Sequence, residues 1–138
     1  MLGGSQVLKA GKGITRPVET ILLVEDNDIN REIMLSQLTA MGYRVDMAVN
    51  GTDALKLYKQ KAYDVILTDI EMPEMNGYEL TAEIRRLEAD GERSIPIFAI
   101  TASEFDLNEE RAISLGFNGY MLKPLEVEVL KKKLAGTA

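Results

Sequence analysis

The 138-residue sequence predicts an α/β fold, a (βα)5 doubly wound sandwich of three layers around a parallel five-stranded sheet. Three observations carry that prediction. Short apolar runs alternate along the chain with longer stretches whose apolar residues recur every three or four positions. The short runs are continuous rather than alternating, as expected of parallel strands buried on both faces. Gly42, Gly91 and Gly116 follow helical stretches, where a left-handed cap suits glycine.

The elements follow in order. Ile21-Leu22-Leu23-Val24 is the first strand, and Ile29, Ile33, Leu38 and Met41 mark the helix after it. Val45 to Val49 is the second strand, followed by a helix carrying Ala54, Leu55 and Tyr58. Val65-Ile66-Leu67 is the third, and Leu80, Ile84 and Leu87 mark its helix. Ile97 to Ile100 is the fourth, with Leu107, Ala112 and Leu115 on the next helix. Tyr120-Met121-Leu122 is the weakest strand, and Leu125, Val129 and Leu130 mark the last helix. Right-handed crossovers put helices on both faces, and the flavodoxin-like strand order 2-1-3-4-5 is expected. The domain is expected over residues 20–134. Residues 1–19, which are Gly-rich and lack a sustained apolar period, read as a linker or an appended segment, and residues 135–138 as a frayed end.

Composition narrows the chemistry. There are 16 Lys+Arg against 22 Asp+Glu, a formal net charge of −6, and no His, Cys or Trp. A Ser-His-Asp or Cys-His nucleophile pair, a zinc site of the usual kind and a disulfide are all excluded. Any metal must rest on oxygen ligands. The acidic balance argues against nucleic acid, whose phosphates need clustered cations. No apolar stretch approaches the roughly 20 residues that span a bilayer, so the segment is expected to be cytoplasmic, without direct membrane contact.

In doubly wound folds the site lies beyond the carboxyl ends of the strands, beside the point where the strand order reverses. Strand 1 ends in Glu25-Asp26, strand 3 in Asp69, strand 4 in Thr101 and strand 5 in Lys123-Pro124. Taken singly, each has a plain structural reading: Asp26 as a helix cap, Thr101 as a β-branched strand residue, Lys123 as a solvated cation. Their coincidence at one sheet edge is what counts. Three carboxylates in one cleft repel unless cations join them. Lys123 supplies one charge, and the oxygen-rich remainder suits Mg²⁺.

The segments VEDNDINR, AVNGTDAL, YDVILTDIEMPEMNGYEL, IPIFAITA and GFNGYMLKP, in this order, resemble response-regulator receiver domains over residues 20–134. The resemblance implies Asp69 as phospho-acceptor, Glu25 and Asp26 as the acidic pair, and Mg²⁺ held by Asp26, Asp69 and the Glu71 backbone carbonyl, with Glu25 acting largely through water and Mn²⁺ able to substitute. It implies Thr101 and Tyr120 as a switch pair, Lys123 as the phosphoryl-binding cation, and a cis bond at Lys123-Pro124. Glu71 and Ser103 fall at positions that vary in the family and flank the hydrolytic water, so they are expected to tune acyl-phosphate lifetime.

The same resemblance implies phosphoryl uptake from the phospho-His of a histidine kinase or a His-containing phosphotransfer domain. It implies a changed surface on the fourth helix, fifth strand and fifth helix, through which a homodimer would form. The first and third motifs are most similar to the C-terminal receivers of hybrid sensor histidine kinases. These motifs, together with the linker-like residues 1–19, favour a piece of such a kinase over a stand-alone receiver, and with 15 residues after Lys123 a full DNA-binding regulator is not expected. Two rivals stay open. A Mg²⁺-dependent aspartyl phosphohydrolase would carry an Asp-x-Asp nucleophile on its first strand, the reverse of the order here. A binding module that never takes phosphate would not need Asp26, Asp69, Thr101 and Lys123 together.

Overall fold

The computed structural model describes residues 17–89, 91, 93–102 and 107–135. Five strands, β1 (Thr20–Val24), β2 (Arg44–Ala48), β3 (Val65–Asp69), β4 (Ile97–Thr101) and β5 (Gly119–Leu122), alternate with five helices. These are α1 (Asp28–Ala40), α2 (Gly51–Gln60), α3 (Gly77–Glu88), α4 (Glu109–Ser114) and α5 (Val127–Leu134). Every strand pairing is parallel, in the order β2-β1-β3-β4-β5. The order therefore reverses between β1 and β3, which are direct neighbours in register from Ile21↔Val65 to Val24↔Thr68.

The continuous apolar runs serve two cores at once. Successive side chains of a strand point to opposite faces. Leu22, Val24, Ile66, Ile97 and Ala99 thus pack with Ala54 of α2, Leu80 and Ile84 of α3 and Ala112 of α4. Ile21, Leu23, Val65, Leu67, Phe98 and Ile100 pack with Met34 and Leu38 of α1 and Leu130 and Leu134 of α5. Among the described residues no helix is long and apolar enough to cross a membrane.

Four of the five helices start at an Asn whose side chain accepts a backbone N–H of the first turn: Asn27, Asn50, Asn76 and Asn108. Such caps satisfy donors that the helix itself leaves free. Each stands where the chain leaves the carboxyl end of a strand. Gly42 and Gly116 take the left-handed conformation expected of them, with φ of 99° and 101°. Gly91 N–H donates to Glu88 O at 2.8 Å. The apolar period of α1 also splits. Met34 and Leu38 are buried, whereas Ile29 is 71% and Ile33 53% exposed.

Candidate functional site

The paired ends of β1 and β3 bring Glu25, Asp26 and Asp69 together, each offering a carboxylate oxygen within 4.8 Å of the others. Glu25 is fully buried and Asp69 nearly so, while Asp26 is exposed. Asp69 is held on one side by its own chain, since Ile70 N–H donates to Oδ1 at 2.8 Å. Its Oδ2 lies 3.2 Å from the Lys123 ammonium. Glu25 Oε2 accepts the Asn27 N–H at 3.0 Å. Glu25 Oε1 accepts no aligned hydrogen bond and is left with an ion-pair contact of 3.0 Å to Lys123.

The electrostatics follow from that arrangement. Burial pushes the Glu25 carboxyl above its ordinary value, more than the Asn27 N–H and Lys123 lower it, and Asp69 adds to the rise. Burial alone would depress Lys123, but the Glu25 and Asp69 carboxylates outweigh it and its pKa is raised. One ammonium therefore pairs with two of the three acids, Glu25 and Asp69. A buried carboxylate oxygen without an aligned donor, beside two more carboxylates, fits a hard divalent cation that takes oxygen ligands.

Of the remaining predicted positions, Glu71 and Thr101 join Asp69 and Lys123 in the wall of a cleft of about 660 Å³, which Tyr78 and Arg111 also line. The Lys123–Pro124 bond is cis, and Lys123 N–H donates to Thr101 O at 2.8 Å, fastening the lysine loop to the end of β4. Tyr120 stands on β5 opposite Ala99, half-buried and packed against the α2–α4 core. Ser103 lies outside the described residues.

The structure also brings in residues that the sequence did not single out. Arg31, one turn into α1, donates through Nη1 to Glu25 O at 3.0 Å and pairs with Asp28, bracing the acidic turn. Gln37 Nε2 donates to Leu125 O at 2.8 Å and ties α1 to the loop that carries Lys123. Asn27 both caps α1 and supplies the N–H on Glu25. The only signal for Asn27 and Arg31 was their place in the VEDNDINR segment; Gln37 had none.

Comparison with known proteins agrees with this geometry. The model of the response regulator receiver domain matches residues 21–135. The sensor protein EvgS of Escherichia coli K12 is 38% identical over 92% of this chain, and the sensor histidine kinase RcsC of Salmonella typhimurium 36% over 83%. The chain spans only 10% and 12% of those proteins. Among solved structures, the receiver domain of sensor histidine kinase PA1611 from Pseudomonas aeruginosa PAO1, with a magnesium ion coordinated in its active site cleft, is 33% identical. It superimposes with a TM-score of 0.73 over 86% of this chain and 99% of its own. The receiver domain of Saccharomyces cerevisiae Ssk1, crystallised with the histidine phosphotransfer protein Ypd1, is 30% identical, with a TM-score of 0.78 over 86% and 88%.

Proposed function

The chain belongs to the response regulator receiver domain family, and from that premise we propose that Asp69 accepts a phosphoryl group from a phospho-His and relays it within a phosphorelay. The observation that carries the reading is the convergence of the Glu25, Asp26 and Asp69 carboxylates, two of which, Glu25 and Asp69, pair with the Lys123 ammonium. The donor is a histidine kinase or a His-containing phosphotransfer domain, as for the relative crystallised with Ypd1. The chain's own lack of His requires the donor residue to come from another segment or molecule. Its likeness to EvgS and RcsC favours a hybrid sensor histidine kinase as parent. ATP-charged donors place the reaction in the cytoplasm.

In the transfer, an Asp69 carboxylate oxygen attacks phosphorus while the P–N bond to the donor imidazole breaks and its electron pair stays on the ring nitrogen. The product is an acyl phosphate, which water later hydrolyses by attack at phosphorus with release of the Asp69 carboxylate. Ile70 N–H fixes Oδ1 and so sets the orientation of the nucleophile. Lys123, a compact point charge, neutralises carboxylate and phosphoryl oxygens alike. Glu25, Asp26, Asp69 and the Glu71 carbonyl would hold Mg²⁺, or Mn²⁺ with its similar oxygen preference, which when bound would supply the remaining positive charge. Glu71 and Ser103 tune the lifetime of the acyl phosphate.

Thr101 turns its hydroxyl to the phosphoryl group, and Tyr120 follows into the space released. Tyr120 also borders a groove of about 440 Å³ with Leu122, Pro124 and Val129, so its movement alters the α4–β5–α5 face. A homodimer of this chain would form there. On the other flank, the exposed Ile29 and Ile33 of α1 offer the apolar surface a donor protein needs to seat its phospho-His over the cleft.

The test is phosphorylation with Mg²⁺ and a small phosphodonor, with beryllofluoride as a stable mimic. One acid-stable, base-labile phosphoryl group per chain is expected, and none in Asp69→Asn. Wild-type uptake by Asp69→Asn would overturn the assignment, and turnover of a generic phosphate ester would favour the phosphohydrolase.

A further inference from the structure

The loop between β3 and α3, which carries Glu71, is closed at its neck and pinned at its crown. At the neck, Gly77 N–H donates to Ile70 O at 2.8 Å, and a Cβ at Gly77 would overlap the Asp69 carbonyl oxygen. At the crown the partners come from the start of α2. Gly51 N–H donates to Met75 O at 2.9 Å, and Asn50 Nδ2 donates to Glu74 Oε2 at 3.3 Å. Asn50 and Gly51 are both buried, and a Cβ on Gly51 would come within 2.7 Å of Met75 Cβ and Cγ, closer than real carbons approach. Between the two crown contacts the backbone is strained: Glu74 has φ of 66°, a left-handed conformation costing a non-glycine residue about 1 kcal/mol. Such a conformation persists where its surroundings over-determine it. The pins on Glu74 and Met75 are those surroundings.

Neither Asn50 nor Gly51 lines the cleft, whereas Glu71, Met72 and Asn76 of the pinned loop do. We propose that Asn50 and Gly51 are positioning residues for the acceptor site: the start of α2 holds the Glu71–Asn76 loop in the one shape that presents the Glu71 carbonyl to the acidic cluster. The proposal rests on the reading of that carbonyl as a Mg²⁺ ligand. A glycine is required at position 51 because the α2 backbone must touch the loop backbone directly, with no room for a side chain between them. The pair thus acts at one remove, as outer-shell groups that orient ligands do.

The experiment is a calorimetric titration with Mg²⁺ of wild type, Gly51→Ala, Asn50→Ser and Asp26→Asn, with the thermal midpoint of each recorded without the ion. Gly51→Ala is expected to bind Mg²⁺ about tenfold more weakly, and its Glu71–Met75 amide resonances to shift before any ion is added. Asn50→Ser keeps a capping oxygen for Asp53 N–H but cannot reach Glu74, so its affinity falls by a smaller factor while its midpoint stays near wild type. Wild-type Mg²⁺ affinity in both Gly51→Ala and Asn50→Ser overturns the proposal, whatever their midpoints, because a merely structural role lowers stability and leaves the folded site alone. If Gly51→Ala does not fold, unchanged affinity in Asn50→Ser overturns it. Undiminished affinity in Asp26→Asn overturns the acidic site itself, and with it the inference, a failure distinguishable from the first.

Discussion

At the carboxyl end of the sheet Glu25 and Asp69 share one ammonium, Lys123, with Asp26 beside them, whereas toward the amino end Asp46, Asp64 and Glu88 each have a cation of their own. Lys61 meets Asp46 at 2.6 Å, Arg93 meets Asp64 at 3.8 Å and Arg85 meets Glu88 at 2.7 Å. Hydrogen bonds complete the amino end. Tyr63 OH donates to Asp46, the Glu19 and Thr20 amides donate to Asp64, and the Ile95 amide donates to Glu88. These contacts join segments that lead into β1, β3 and β4, so they hold the sheet together. The carboxyl end keeps a deficit of positive charge and a buried carboxylate oxygen without an aligned donor. The two sets of acids thus differ: three separate pairs close one end, while the grouped acids at the other carry less positive charge than negative, as the proposed cation and phosphoryl site requires.

The largest test of that contrast is Lys123→Met. It removes the ammonium that pairs with the two buried carboxylates, Glu25 and Asp69, and should cost about 3 kcal/mol of stability in Mg²⁺-free buffer. Added Mg²⁺ should recover part of the loss, read as the urea midpoint with and without the ion. A variant as stable as wild type without Mg²⁺ would break the comparison. Next comes Tyr63→Phe at the amino end, which loses a hydrogen bond to a carboxylate and should cost about 1.5 kcal/mol while leaving Mg²⁺ affinity unchanged.

The same variant has a pH signature. Lys61 first and Tyr63 second hold the Asp46 carboxyl below its ordinary 3.8. A depressed folded value means that Asp46 contributes stability above 3.8, lost as the pH falls below it. Tyr63→Phe should shrink this acid-sensitive part without abolishing it, because Lys61 remains; thermal midpoints of both proteins across the acid range check this. Smallest of all is Asp26→Asn, which relieves like-charge repulsion at an exposed position. It should raise Mg²⁺-free stability by about 0.5 kcal/mol and lose stabilisation by the ion, measured in the same urea titrations.

Much of the contrast is written locally in the chain. The run Ile21–Val24 followed by Glu25-Asp26, and Val65–Leu67 followed shortly by Asp69, state that apolar strands end in acids. A doubly wound order then makes those ends neighbours, and the structure shows β1 beside β3. Lys123 lies 54 residues from Asp69, yet it was legible once the strand order was expected, because the parallel pairing of β4 and β5 carries it to the β3 end of the sheet; the partners Arg31 and Gln37 were not. Apolar periodicity says where helices lie but not how each is rotated about its axis. It therefore misses that Met34 and Leu38 of α1 face the core while Ile29 and Ile33 do not.

By itself the sequence determined the alternation of strands and helices and the set of acids at the strand ends, because each depends on spacing within one short segment. Tertiary structure alone decided which of those acids became buried and short of donors, that Arg31 and Gln37 brace the turn and the lysine loop, and that Gly51 touches the backbone of Met75. The reason is physical. A hydrogen bond between distant segments exists only within a few tenths of an ångström, and that placement is set by how two cores pack on a twisted sheet, a property of the whole chain rather than of any stretch of it.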